Sequence, residues 1–277
     1  MTTALSRQQL TDEQFEKFWE DGYLIIRDVL DAPLVAMAKK AILDLIPRDF
    51  VLGENFHSRS GRLKPLNDDG NHSYYTAELL PLLINETLYG VMADLFETQY
   101  LRVGDGSVGI SLKSGGAEGL TQRLHLDMKV PKKEQLSAEH VRFHVGMGGC
   151  YYLSDVEENG GGIHVIPGGH RMAEELMLNE PDGLQRFENW KHINDLAPSI
   201  EVTANAGDFV LMHHMMPHGA SRNLNPIPRV AQFTRFYRLS EEEARQAPGP
   251  DREFSDEAME TLSPLGRKLF RFAPWIS

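Results

Sequence analysis

The feature that most constrains this chain is the spacing of its apolar runs after Tyr100. Val108 to Leu112, Leu124 to Val130, Val141 to Leu153, Ile163 to Ile166, Ile200 to Thr203, Phe209 to His213 and Val230 to Arg238 are short and set apart by glycine and other turn residues. Several short strands with turn signals between them predict a β-sandwich or barrel. The stretch from Met172 to Ala197 interrupts the series with helical or irregular structure. Before Tyr100 the period is different. Thr11-Asp12-Glu13-Gln14 has the form in which a hydroxyl and an amide satisfy each other's backbone donors at a helix start, Phe15, Phe18 and Trp19 follow at helical spacing, and Gly22 ends the turn. Tyr23 to Val29 reads as a strand, and Asp31 as the cap of a second helix in which Pro33 is tolerated in the first turn. Val35, Ala38, Ile42 and Leu45 give that helix one buried face, and a further helix is expected from Asn85 to Thr98. Residues 48–73 show no period, and a loop of that length is expected to be functional, a lid over the barrel mouth, or else a surface excursion.

Composition narrows the chemistry. Among 277 residues, 41% are hydrophobic and 25% charged, the balance of a soluble globular protein, with enough chain for a proper core. No stretch reaches the roughly 18 uncharged apolar residues that a membrane span needs, so a cytoplasmic protein is expected. With the single cysteine Cys150 no disulfide can form within the chain, and neither a cysteine zinc site nor an iron-sulfur cluster can be built. Any metal must then be held by His, Asp or Glu. The net charge of -12 repels phosphate backbones, which argues against nucleic acid as a partner.

His125 and Asp127 lie two apart in Leu124-His125-Leu126-Asp127-Met128, and on a strand such residues point to one face, where both reach one ion. A His-x-Asp pair alone is a weak signal, because a solvated surface pair looks the same. Gly207 to Gly219 reads as a turn, a strand and then His218, and Arg229 follows eleven residues later at the start of another strand. A hairpin of that size is expected to bring His218 and Arg229 into one pocket. Asn159-Gly160-Gly161-Gly162 and Pro167-Gly168-Gly169-His170 supply turns whose glycines serve positive φ. His144, His164 and His170 are expected to be packed or surface residues, and at most one of the adjacent His213 and His214 can look inward.

In this order and spacing, His125-x-Asp127, Asn159-Gly160, Pro167-Gly168-x-His170, Gly207-Asp208, His218-Gly219, Asn223 and Arg229 resemble the phytanoyl-CoA dioxygenase family of iron(II) and 2-oxoglutarate dependent oxygenases. The resemblance covers nearly the whole chain. It implies a mainly β fold with flanking helices, a double-stranded β-helix or cupin-like jelly-roll barrel. It also implies one domain over 1–277, with a helical part at 1–99, a jelly-roll core at 100–240 and a tail at 241–277. His125, Asp127 and His218 would be the iron ligands, leaving open positions for 2-oxoglutarate and oxygen. Arg229 would pair with the distal carboxylate of 2-oxoglutarate, where a planar fork offers two parallel donors. Gln122 is expected to help hold the co-substrate or the substrate.

One departure from the family pattern concerns the hydroxyl that relatives place two residues after the distal histidine. Here Ala220 stands at that place and the hydroxyl falls on Ser221. The carboxylate of Asp127 separates the chain from halogenating relatives, which have a small residue there, and so favours hydroxylation or another oxidation of a small molecule. The rival readings are a zinc hydrolase or isomerase using the same two histidines and aspartate, and a catalytically silent jelly-roll binding protein.

Overall fold

A computed structural model describes residues 7–46, 62–67, 70–114, 118–121, 123–127, 146–179, 196–250 and 254–277. Its first helix, α1 (Asp12–Asp21), starts where expected: the Thr11 hydroxyl accepts from the Gln14 amide at 3.1 Å, and the Gln14 side chain accepts from the Thr11 amide at 3.0 Å. Gly22 ends it in the left-handed conformation at φ +77°. β1 (Tyr23–Ile26) follows, then α2 (Ala32–Asp44), whose Asp31 cap accepts from the Leu34 amide. The aperiodic stretch contains a two-residue strand, β2 (Arg62–Leu63), and residues 47–61 and 68–69, on which the lid reading depends, lie outside the described residues. After α3 (Leu80–Leu83) comes α4 (Glu86–Phe96), capped by Asn85.

The glycine-spaced region then supplies β3 (Leu101–Ser111), β4 (Met147–Tyr152), β5 (Ile163–Val165), α5 (Gly169–Asn179), β6 (Ile200–Val202), β7 (Phe209–Met212), β8 (His218–Ala220) and β9 (Arg229–Arg238). Three short helices close the chain: α6 (Glu241–Ala244), α7 (Asp256–Thr261) and α8 (Pro264–Leu269). Every ladder is antiparallel among the described strands. One sheet has six strands in the order β1-β7-β4-β9-β3-β2, and the other has three in the order β6-β5-β8. Isolated bridges from Leu120 to Ser221 and from His125 to His218 extend the small sheet beyond β8.

Alternation divides the large sheet into two faces. On its outer face Tyr151, Phe209, Val230 and Phe236 join a core with Phe18, Ile42, Leu83 and Leu95 of the helices. On its inner face Cys150, Tyr152, Val210, Met212 and Ala231 pack with Ile163, Val165 and Val202 of the small sheet. Two facing antiparallel sheets with helices against one of them are the jelly-roll architecture expected from the sequence. The space between the sheets is where polar residues of both can meet.

Two details differ from expectation. Residues 123–127 make a single bridge rather than a ladder, and 128–130, the rest of the expected strand, lie outside the described residues. His218 and Arg229 are not on one hairpin either, because β8 belongs to the small sheet and β9 to the large one. The connection crosses between the sheets and is secured by Asn223, whose amide donates to the carbonyls of Ser111 and Ile227 at 2.8 Å each. Gly161 comes so close to this crossing that an added Cβ would lie 3.0 Å from Cβ of Asn223, at a φ of +82°.

Candidate metal and co-substrate site

His125 and His218 form one cross-strand pair. The His125 amide donates to the His218 carbonyl at 2.8 Å and the reverse bond is 2.9 Å, which sets the imidazoles side by side with ring centroids 4.5 Å apart. Asp127 sits in the bend just after, with Oδ1 3.5 Å from Nε2 of His125 and Oδ2 3.4 Å from Nε2 of His218. One ligand atom from each of the three residues lies within 4.8 Å of the others, close enough for a single ion. Two histidines and one carboxylate on one side of an ion leave its other positions open.

The neighbours of the triad orient it. A carbonyl can only accept, so the 2.9 Å contact between Nδ1 of His218 and the Met216 carbonyl keeps a proton on Nδ1 and turns Nε2 toward Asp127. Arg235 binds Oδ2 of Asp127 at 2.6 Å. Burial pushes the Asp127 carboxyl up, but His218, the hydrogen bonds with His125 and His218, and the Arg235 guanidinium outweigh it and hold the group well below the usual carboxylate range. Asp127 is therefore ionised and ready to act as a ligand at any ordinary pH.

Arg229 lies on the inner face of β9, two residues before Ala231, and is 1% exposed. Nη2 donates to the Ser111 hydroxyl at 3.1 Å, while Nε and Nη1 are buried with no partner. Buried donors left without partners are costly, and Nη1 together with the second proton of Nη2 has the fork geometry that matches one carboxylate. Ser111 occupies the facing position on β3, so its hydroxyl can accept from Arg229 and still donate to an anion in the same place. That hydroxyl was not legible from sequence spacing, since only strand pairing sets it beside Arg229. Ser221, where the displaced hydroxyl was sought, turns away and donates toward the Gly162 carbonyl and the Glu201 carboxylate.

The remaining candidates separate cleanly. Gln122 lies outside the described residues. His213 and His214 are buried and stacked at 4.2 Å, and His213 also packs against Phe18, Trp19 and His170, which makes it part of the support beneath the segment leading to His218. Tyr152 receives the Ile163 amide and donates to the Val202 carbonyl, and Tyr151 donates to the Leu82 carbonyl, so both hydroxyls serve the fold. Arg235 was missed by sequence reading, although its even spacing from Arg229 along one strand was a signal that both face the barrel interior.

Comparison with known proteins gives a family and a fold. The family profile described as phytanoyl-CoA dioxygenase (PhyH) matches residues 18–231. The fold is similar to that of HygX from Streptomyces hygroscopicus, solved with nickel, 2-oxoglutarate and hygromycin B, at 18% identity and a TM-score of 0.57, covering 83% of this chain and 88% of that one. It is similar as well to SnoK, the non-heme alpha ketoglutarate dependent carbocyclase from nogalamycin biosynthesis, at 20% identity and a TM-score of 0.58, covering 89% and 95% of the two chains. EctD from S. alaskensis, solved with 2-oxoglutarate and 5-hydroxyectoine, shares 17% identity at a TM-score of 0.54 over 83% and 77%. No curated protein sequence matches the chain. Among the described residues no helix is long and apolar enough to cross a membrane.

Proposed function

Because the chain belongs to the phytanoyl-CoA dioxygenase family, we propose that it is an iron(II) and 2-oxoglutarate dependent dioxygenase that hydroxylates or otherwise oxidises a small organic molecule, with release of succinate and CO2. The observation that carries this reading is the pairing of an open three-ligand site with a buried, half-satisfied guanidinium on the same inner space. His125, Asp127 and His218 fit a divalent iron by donor type and mutual distance. Nη1 and Nη2 of Arg229 fit the distal carboxylate of 2-oxoglutarate, with the Ser111 hydroxyl beside them. A metal hydrolase has no use for such a cation, and a silent binding protein has no use for an open triad.

Iron with 2-oxoglutarate supplies the oxidising power for attack on an unactivated C–H bond. The chain's own residues do the rest. Arg235 and the Met216 carbonyl hold the ligands in orientation, Arg229 and Ser111 bind and align the co-substrate, and the apolar inner wall of Cys150, Val210, Met212 and Ala231 keeps water from the reacting centre. The test is a screen of small molecules scored by succinate release under iron(II), 2-oxoglutarate and oxygen. Substrate-stimulated succinate formation supports the reading; product formation from a hydrolysable ester with zinc and no 2-oxoglutarate would replace it.

A further inference from the structure

Arg235 grips Asp127 from a row in which both of its cross-strand partners are glycines. On β3 it stands opposite Gly104, and on β4 opposite Gly148. A long side chain gives up much rotamer freedom when it is fixed, and a glycine offers it no side chain to lean on. The restraint on the guanidinium must then come from the next row, toward the end of β9. Leu101 and Val103 belong to the outer core, which leaves Arg102 and Gly104 on the inner side, and Arg102 stands opposite Tyr237.

Tyr237 meets Arg235 over a floor of bare backbone. A Cβ added to Gly146, the residue before β4, would lie 2.7 Å from Cγ and Cδ of Arg235 and 2.7 Å from Cε1 of Tyr237, so the arginine stem and the ring come together above that glycine. The other edge of the ring sits over Gly104, where an added Cβ would lie 3.3 Å from Cε2. Arg102 backs the ring on one face, with its guanidinium carbon 4.0 Å from the centroid. Burial pushes the Arg235 guanidinium down, and Asp127, followed by Tyr237 and Asp105, outweighs it and raises the group. Tyr237 thus stands next to Asp127 among the groups that keep this cation in place.

Resting on the oxygenase reading above, whose metal site it concerns, we infer that Tyr237 is a positioning residue for the metal centre: backed by Arg102 and seated over Gly104 and Gly146, its ring fixes the stem of Arg235 and, through it, the Asp127 carboxylate. The restraint is exerted by the ring, so phenylalanine can replace tyrosine. Gly146 must stay bare, because a methyl group there takes the space of the stem and displaces the guanidinium from Asp127.

Anaerobic titration of the metal-free protein with cobalt(II), followed by visible absorption, tests this. Tyr237→Ala and Gly146→Ala are each expected to weaken cobalt(II) binding about fivefold or more and to alter the absorption envelope, an effect no larger than that of removing the orienting group itself. Tyr237→Phe, which keeps the ring, should stay within about twofold of the wild type. In an Arg235→Gln background, Tyr237→Ala and Gly146→Ala should cost less than about twofold further, because residues that act through Arg235 then have nothing to act on. Tyr237→Ala, at a partly exposed position, carries the test if Gly146→Ala fails to fold. Wild-type affinity in Tyr237→Ala or Gly146→Ala, a Tyr237→Phe variant as weak as Tyr237→Ala, or losses that persist undiminished without Arg235 would overturn the assignment. A wild type that binds no cobalt(II) would overturn the metal site of the oxygenase reading itself, and the inference with it.

Discussion

A Cβ on Gly22 would lie 2.1 Å from Nδ1 of His170, so the residue that ends α1 and a residue in the first turn of α5 meet with no room for a methyl group. The contact lies under the site, since the Gly22 carbonyl accepts from the His213 amide at 2.9 Å and His170 packs against the His213 ring at 5.0 Å. Gly22→Ala adds a positive-φ penalty to this overlap and is expected to destabilise the fold by about 1 to 3 kcal/mol. Urea unfolding monitored by circular dichroism measures it, and a change below about 0.5 kcal/mol, within the usual scatter for surface substitutions, would contradict the packing.

The same histidine predicts a pH dependence of stability. Burial, partly opposed by the hydrogen bond to the Trp19 carbonyl, pushes His170 down from 6.5 to about 4. Between those values the unfolded chain binds a proton that the folded chain refuses, so stability rises with pH across that window and is flat above it. Acidification from pH 7 to pH 4 should cost at most about 3 kcal/mol through this group. Thermal melts of wild type and His170→Gln at a series of pH values check it; an unchanged slope in the variant would place the titration elsewhere.

For the triad, Asp127→Ala and His218→Ala are expected to abolish metal binding and turnover, while His214→Ala keeps metal binding and loses stability. Anaerobic iron titration followed by absorbance distinguishes them. Equal loss of metal in the His214 and His218 variants would mean that the wrong neighbour had been assigned.

Arg235→Gln should weaken metal binding by about 10- to 100-fold, the usual effect of removing a group that orients a ligand, without abolishing it. The ion pair at 2.6 Å is the reason, because Asp127 loses both an orienting partner and part of the charge that keeps it ionised. Metal affinity equal to that of the wild type would show the pair to be incidental.

Arg229→Lys is expected to raise the 2-oxoglutarate KM strongly with a smaller effect on kcat at saturation. Loss of one partner from a buried ion pair costs about 3 to 5 kcal/mol, and a lysine that keeps the charge but not the fork recovers only part of it. Steady-state kinetics at varied 2-oxoglutarate decide, and an unchanged KM would remove Arg229 from the cradle.

Local chemistry made much of this protein legible in the linear chain. The Thr11–Gln14 box, the Asp31 and Asn85 caps and the stop at Gly22 depend on hydrogen bonds spanning only a few residues, and each lies where the residue types alone place it. The alternation that makes β9 two-faced is likewise a property of one strand, and His125, Asp127, His218 and Arg229 stand out by type and order before any fold is known. What the chain could not display is adjacency between distant segments. The crossing of residues 221–228 from one sheet to the other, the turning of Ser221 toward Glu201, the grip of Arg235 on Asp127 and the pairing of Ser111 with Arg229 arise only when strands far apart in sequence are brought into register. Register is decided by burying both faces of the large sheet at once, one against the helices and one against the small sheet. That is a condition on the whole fold, which no local pattern of residues can express.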